Sequence, residues 1–368
     1  MPEKFFNGLT IRRMVTGMAI FVLAVYAGAV GLTGSAHLAV TPAAAQMSGN
    51  VPGNSLGNTS DPQFWRAIRK GVCGSVSIPD KQAACLVQSQ GDELRAFRNG
   101  PMSRVGAWVM LAMLVVIALF FALRGRIRID AGPDEAGRTI ERFNALERFT
   151  HWLTASSFIV LSITGLNVLY GKYFLPAILG KSAFATLTLW GKMLHNYISW
   201  AFMLGILLMF VLWVKDNFLN KADLNWIAVG GGLFSKDVHP PAGRFNFGQK
   251  LIFWCVILGG LVHALTGLVL LFPFEFQVVG NMFSVLNILG LGLPTNLTPL
   301  QEVQYALMWH GVSTVVMIAI IIGHIYIGSL GMEKAFDAVG SGQVDRNWAK
   351  EHHSLWLEEV EGESPPAE

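Results

Sequence analysis

The sequence predicts an all-α membrane protein: a four-helix transmembrane bundle with an extra N-terminal span and a small exterior segment. Three observations carry that reading. Hydrophobic residues make up 52% and charged residues 14% of the 368-residue chain, too apolar a balance for an ordinary soluble domain. Apolar runs long enough to cross a bilayer recur between polar connectors. Lys and Arg gather beside alternate ends of those runs, which orients them by the positive-inside rule. The net charge of +3 comes without a separate basic domain, so membrane lipid is the expected surrounding and nucleic acid is excluded as a partner class.

Residues 1–45 read as a secretory signal or an uncleaved anchor. Lys4, Arg12 and Arg13 precede the apolar run from Met14 to Leu32, and Thr41-Pro-Ala-Ala-Ala-Gln46 offers small residues to a signal peptidase. Either reading sends residues 46–104 outside. That segment is Gly-, Ser-, Pro- and Asn-rich with one expected helix, Asp61 to Val72, and its Cys73 and Cys85 are expected to form a disulfide there. The three cysteines include no CxxC, no CxxCH and no zinc spacing, which excludes covalent haem attachment and an iron–sulfur cluster in this chain.

Residues 105–123 form the extra span, and Arg124, Arg126 and Arg128 place its end in the cytoplasm. A cytoplasmic connector, 124–148, leads into the four-span domain, 149–332. Its spans are Phe149 to Tyr170 outward, Met193 to Val214 inward, Leu251 to Phe274 outward and Tyr305 to Gly328 inward, with Lys192 closing the exterior loop before the second. Lys215, Lys221, Arg244 and Lys250 mark the loop after the second span as cytoplasmic, and residues 333–368 read as a solvated cytoplasmic tail.

The last span carries His310 and His324, fourteen residues apart. At 100° and 1.5 Å per residue they share a helix face, about 40° from alignment and roughly 21 Å apart. Imidazoles in a span are costly unless they face the interior with a partner. Counting depth through the spans sets His195 level with His310 near the outer face, and His151 level with His324 near the cytoplasmic face. Two same-level pairs suit two bis-imidazole haem b groups, one above the other; core histidines bonded to carbonyls are the alternative.

His263 sits mid-span without a partner at its depth and reads as a packing histidine, with a proton-path role as the other reading. His37, His239, His352 and His353 read as solvated. Gly165, Gly267 and Gly311 suit either the close approach of a flat macrocycle or helix packing. Trp152, Trp190, Trp200, Trp213, Trp254 and Trp309 read as an aromatic belt. In the loop before the third span, Asn246 and Gln249 could donate to a carbonyl head group and Gly248 would let it approach; turn formation before a helix is the plainer reading.

Several stretches together resemble the gamma, cytochrome b, subunit of membrane-bound formate dehydrogenases: Arg148-Phe-Thr-His151-Trp152, Met193-Leu-His195, Arg244-Phe-Asn246-Phe-Gly248-Gln-Lys-Leu-Ile-Phe-Trp254, Trp309-His310, Gly323-His324-Ile-Tyr-Ile, and Gly342 through Trp356. The resemblance spans about residues 140 to 360. It implies a di-haem cytochrome b bundle, with His195 and His310 holding the outer haem iron, His151 and His324 the inner one, and Asn246, Gly248 and His324 around a quinone, menaquinone or ubiquinone. It also implies a molybdenum or tungsten catalytic subunit and an iron–sulfur subunit outside the cytoplasm, the bacterial inner membrane as the site, and no formate-oxidising residue in this chain. The first 130 residues go beyond the short family pattern and look like a longer proteobacterial variant. The same bundle also suits a hydrogenase or another molybdopterin oxidoreductase, because the cytochrome contacts only a relay. A haem-free anchor or transporter is the rival of another class, disfavoured because the span ionisables are mostly histidines paired by depth.

Non-reducing peptide mapping of protein isolated under alkylation is expected to find Cys73 joined to Cys85. Two free thiols would place the segment on the other side of the membrane or give the pair another task.

Overall fold

The computed structural model describes residues 91–235 and 238–363. The leader or anchor, the helix expected at 61–72, His37 and the Cys73–Cys85 pair lie outside the described residues.

In chain order, α1 (Gly91–Phe97) passes through a π-helical turn into α2 (Ser103–Arg124), and a connector containing strand β1 (Thr139–Glu141) leads to α3 (Ala145–Tyr170). A short α4 (Leu175–Leu179) precedes α5 (Lys181–Trp213), and α6 (Lys221–Ala228) lies in the loop before α7 (Phe247–Leu271). Then come α8 (Val278–Leu286), α9 (Pro299–Tyr326), α10 (Asp337–Gly340), β2 (Gln343–Asp345), α11 (Arg346–His352) and α12 (Ser354–Glu363). Five helical segments among the described residues are long and apolar enough to cross a membrane: Leu94–Arg124, Ala145–Tyr173, Lys181–Asn217, Phe247–Leu271 and Pro299–Gly331. The chain is a multi-pass, all-α membrane protein.

Helix starts are written locally. Asn144 with Glu147, Asn220 with Asp223, Asn246 with Gln249 and Thr298 with Gln301 each form a reciprocal capping box at the head of α3, α6, α7 and α9. The second bundle helix starts well before the predicted Met193, because Lys192 marks a membrane surface by its charge and does not interrupt a helix that continues beyond the lipid. Within the bundle α3 packs on α5, α7 on α9 and α5 on α7, while α2 lies outside against α9. Glycines set the closest approaches: a Cβ at Gly106 of α2 would stand 2.9 Å from Val315 of α9, and one at Gly260 of α7 would stand 2.8 Å from Ile206 of α5.

One end of the bundle carries a folded cap, which corrects the expectation of a solvated tail. β1 pairs antiparallel with β2, Ile140 opposite Val344, and Trp348, Ala349, Trp356 and Leu357 are buried against Phe143, Trp213, Phe245 and Phe253. Arg142 is buried among the rings of Trp356, Trp348 and Phe143, 5.0–5.4 Å from their centroids. Its guanidinium donates to the Arg244 carbonyl at 2.6 Å and meets His353 Nε2 at 3.1 Å. His353 Nδ1 lies 2.8 Å from the Gly243 carbonyl, which only accepts, so Nδ1 carries the proton and Nε2 accepts from Arg142. His353 is fully buried and His352 half-buried, against the solvated reading; only His239 of the described three is exposed. A polar stretch of sequence looks solvated until the aromatic residues spaced through it find a common partner, and here that partner is a cation.

The same end buries one of the charges that mark the cytoplasmic loop, Lys250, and half-buries another, Arg244. Lys250 is 2% exposed, paired with Asp223 at 2.8 Å, and fastens α6 onto α7. Arg244 bridges Glu147 at 2.6 Å and Asp216 at 3.1 Å. Trp213 donates to Glu147 at 2.9 Å and is buried, as is Trp309, so neither belongs to a lipid-facing belt; Trp152, Trp190 and Trp200 are exposed as a belt requires.

Burial holds His353 well below its ordinary range, and burial with the neighbouring His239 and Arg142 pushes His352 down to about 4 against the opposing pull of Asp130. Burial and the nearby Arg244 lower Arg142 to about 9, so it stays charged at neutral pH. Both histidines bind protons more readily unfolded than folded, so cap stability is complete above about pH 6.5 and falls as the pH drops towards 4. Hydrogen exchange at residues 343–360, corrected for its intrinsic pH dependence, is expected to speed up from about pH 7 to about pH 5 while the bundle helices stay protected.

Candidate haem-binding site

Four span histidines meet inside the bundle as two pairs. The rings of His195 (α5) and His310 (α9) have centroids 6.2 Å apart, and those of His151 (α3) and His324 (α9) lie 6.3 Å apart. A metal held linearly between two imidazole nitrogens, each bond about 2 Å, needs ring centroids roughly 6 Å apart. Both pairs meet that requirement. Hydrogen bonding would need the nitrogens themselves in contact, and no bond joins the two rings of either pair among the described residues.

The pair farther from the cap has an anchor on each ring. Thr164 Oγ1 lies 2.8 Å from His195 Nδ1, and Thr266 Oγ1 lies 3.0 Å from His310 Nδ1. Each hydroxyl also lies against a carbonyl of its own helix, Val160 at 2.8 Å and Val262 at 2.6 Å. A carbonyl only accepts, so the single hydroxyl proton goes to it, and the threonine oxygen receives Nδ1–H from the ring. Nε2 of both histidines is left with its lone pair, the form that ligates iron. Near the cap, His151 Nδ1 is buried without a hydrogen-bond partner.

The residue after each anchoring threonine is glycine. A Cβ built at Gly165 would meet only His195 Cε1, at 3.7 Å, and one at Gly267 only His310 Cε1, at 3.7 Å. No neighbouring helix presses on either position, so helix packing does not account for them. The space beside the two imidazoles is what a flat macrocycle needs. Gly311 is different: its Cβ would strike Met102 Sδ at 2.7 Å, which makes it a packing glycine. Thr-Gly-Leu recurs at 164–166 and 266–268, and that repeat is the sequence signal for both threonines.

His263 packs between α7 and α9: its Nδ1–H donates to the Gly259 carbonyl at 2.7 Å, Thr314 Oγ1 at 3.0 Å from Nε2 gives its own proton to the His310 carbonyl, and Ser313 Oγ at 3.3 Å is the hydroxyl left to donate to Nε2; the ring stands 5.1 Å from that of His310. Asn246 is the N-cap of α7, its Oδ1 accepting from Gln249 N–H at 3.0 Å. A Cβ at Gly248 would meet Trp226 of α6 at 3.1 Å. The antiparallel register of α7 and α9, with Thr266 beside His310 and His263 beside Thr314, sets His324 level with residue 252. Asn246 therefore lies about 9 Å nearer the cap than His324. These residues share one end of the bundle without touching.

A family model for prokaryotic cytochrome b561 matches residues 142–336, the stretch that holds all four paired histidines. The chain belongs to the prokaryotic cytochrome b561 family. Members are haem b cytochromes, and the open spaces and ring spacings fit that group. The chain is 29% identical over 223 residues to the formate dehydrogenase cytochrome b556(fdo) subunit of Escherichia coli (strain K12), covering 60% of this chain and 93% of that one. It is 25% identical over 226 residues to the nitrate-inducible formate dehydrogenase cytochrome b556(Fdn) subunit of the same strain, covering 61% and 93%. To the formate dehydrogenase cytochrome b556 subunit of Haemophilus influenzae it is 23% identical over 223 residues, covering 60% and 83%. The resemblance read from the motifs is thereby borne out; the first 130 residues lie outside the family match.

If Gly165 and Gly267 make room for a macrocycle, Gly165→Leu and Gly267→Leu will each lower haem content while leaving helical circular dichroism unchanged, because the protein alone has space there. Unaltered haem content in both variants would assign the glycines another purpose.

Proposed function

We propose that this cytochrome is the membrane subunit of a formate dehydrogenase, carrying electrons from an iron–sulfur partner at the far end of the bundle to quinone at the capped end. The observation that carries the reading is the pairing of four histidines at metal-bridging spacing in a chain similar to three formate dehydrogenase cytochrome subunits. Two haem b groups, when bound, supply one-electron redox chemistry at two depths.

The chain's own residues supply position. His195 and His310 would hold the far-end group through Nε2, and His151 and His324 would hold the group nearer the cap. Apolar helices exclude water between the two levels. Arg and Lys are concentrated at the capped end, in 124–148, 215–250 and 334–350, which supports a cytoplasmic placement for the cap and C-terminus in the bacterial inner membrane. Quinone reduced there takes its protons from the cytoplasm, and formate oxidised by a molybdenum or tungsten partner outside leaves its protons there. Charge is separated by electron crossing alone.

Pyridine haemochrome quantification of the purified chain is expected to return close to two b haems. His195→Ala or His310→Ala should remove one and block reduction by the donor complex, while His151→Ala removes the other; a well-folded preparation without haem would end the proposal.

For quinone, Asn246→Ala is a poor probe, because losing an N-cap costs about 1 kcal/mol of helix stability. Gly248→Leu is compromised too, by Trp226. Asn246→Ser keeps a capping hydroxyl and removes the amide donor. Losing one neutral hydrogen bond to a quinone carbonyl, worth about 0.5–1.5 kcal/mol, is expected to weaken quinone binding several-fold with haem content intact. Normal quinone reductase activity in that variant would move the site away from Asn246.

A further inference from the structure

The two histidine pairs differ in what stands behind them. Both far-end rings give Nδ1–H to a threonine hydroxyl that is itself polarised by donating to a helix carbonyl. Neither ring of the pair nearer the cap has such an anchor: His151 Nδ1 is buried and unpartnered, and His324 makes no side-chain hydrogen bond among the described residues. A hydrogen bond from the far nitrogen makes an imidazole a more basic ligand and fixes its orientation. A more basic ligand favours ferric over ferrous iron and lowers the reduction potential, one of the few levers a protein holds over a b haem.

We propose that Thr164 and Thr266 are positioning residues that hold the far-end haem at a lower reduction potential than the haem nearer the cap, so that electron transfer towards the cap runs downhill. The proposal rests on the reading of the four histidines as haem ligands. The two threonines touch only the rings, so they act through His195 and His310. The twin Thr-Gly-Leu segments on α3 and α7 then have one purpose each per residue: the threonine sets the ligand, and the glycine clears the space beside it. Thr266 is the sharper test, because Thr164 Oγ1 has two helix carbonyls, Val160 and Leu161, near enough to share its proton.

The test is a potentiometric titration of the full-length chain in lipid nanodiscs, followed by the visible absorption of its two components. The component missing from His195→Ala is the far-end one. Thr266→Val keeps shape and helix and deletes the hydroxyl. Its far-end component is expected to become about tenfold easier to reduce, a rise of about 59 mV for one electron, with the other component unmoved. Thr164→Val should shift the same component in the same direction by less, and Thr266→Ser, which restores the hydroxyl, should return it to the wild-type value.

If Thr266→Val sheds the far-end haem while Thr266→Ser retains it, the midpoint is read in Thr164→Val instead, where a rise supports the proposal and an unmoved value overturns it. Loss in both variants assigns the threonine to packing and overturns it. So does an unmoved midpoint in Thr266→Val with full haem, or a wild-type protein whose far-end component has the higher potential. A wild-type chain that binds no haem at His195 and His310 would instead strike the haem reading itself.

Discussion

An imidazole sealed in an apolar bundle keeps two nitrogens that each need a partner, and the architecture of this chain follows from how those needs are divided. At His195 and His310 one nitrogen is answered by a threonine of the neighbouring helix, and the other is left without a hydrogen bond among the described residues, with the two ring centroids 6.2 Å apart. At His151 even the rear nitrogen is unanswered. Leaving such nitrogens unanswered in an apolar bundle is unfavourable, which supports reading these rings as ligands.

The second organising interaction lies outside the membrane. Arg142 joins the start of the bundle to its last residues through three aromatic faces, the Arg244 carbonyl and His353. Removing a fully buried cation from water is unfavourable; the offset comes from the three aromatic faces and the two contacts of Nη2, while Nη1 is buried without a hydrogen-bond partner. The consequence reaches the candidate quinone region, because Gly243, held by His353, and Arg244, held by Arg142, lie three and two residues before Asn246. The cap thus holds the loop that starts α7, and the conformation of that loop depends on residues a hundred positions away.

The comparison between motif and geometry is instructive at Asn246 and Gly248. Both were candidates for a head-group site, and both turn out to have local duties as helix cap and as packing partner of Trp226. Such duties do not exclude a ligand contact, since Asn246 uses its carbonyl oxygen in the cap and keeps its amide group. They do change which substitutions report on it.

The long apolar helices among the described residues and the matching levels of the paired histidines could be read from the chain, because hydrophobic runs and flanking charges are one-dimensional records of which segments are apolar. The pairing of His195 with His310 and of His151 with His324 followed from depth alone, and the folded chain brings the same residues together. Other features depended on three dimensions. Nothing in a count of spans says that Lys250 is buried, that Gly311 serves packing while Gly165 and Gly267 open onto imidazoles, or that the polar C-terminal segment closes over the bundle. Each of these is set by which helix face meets which neighbour. That choice depends on the rotation of every helix about its axis, a quantity that hydropathy and charge leave free and that only close packing of side chains resolves.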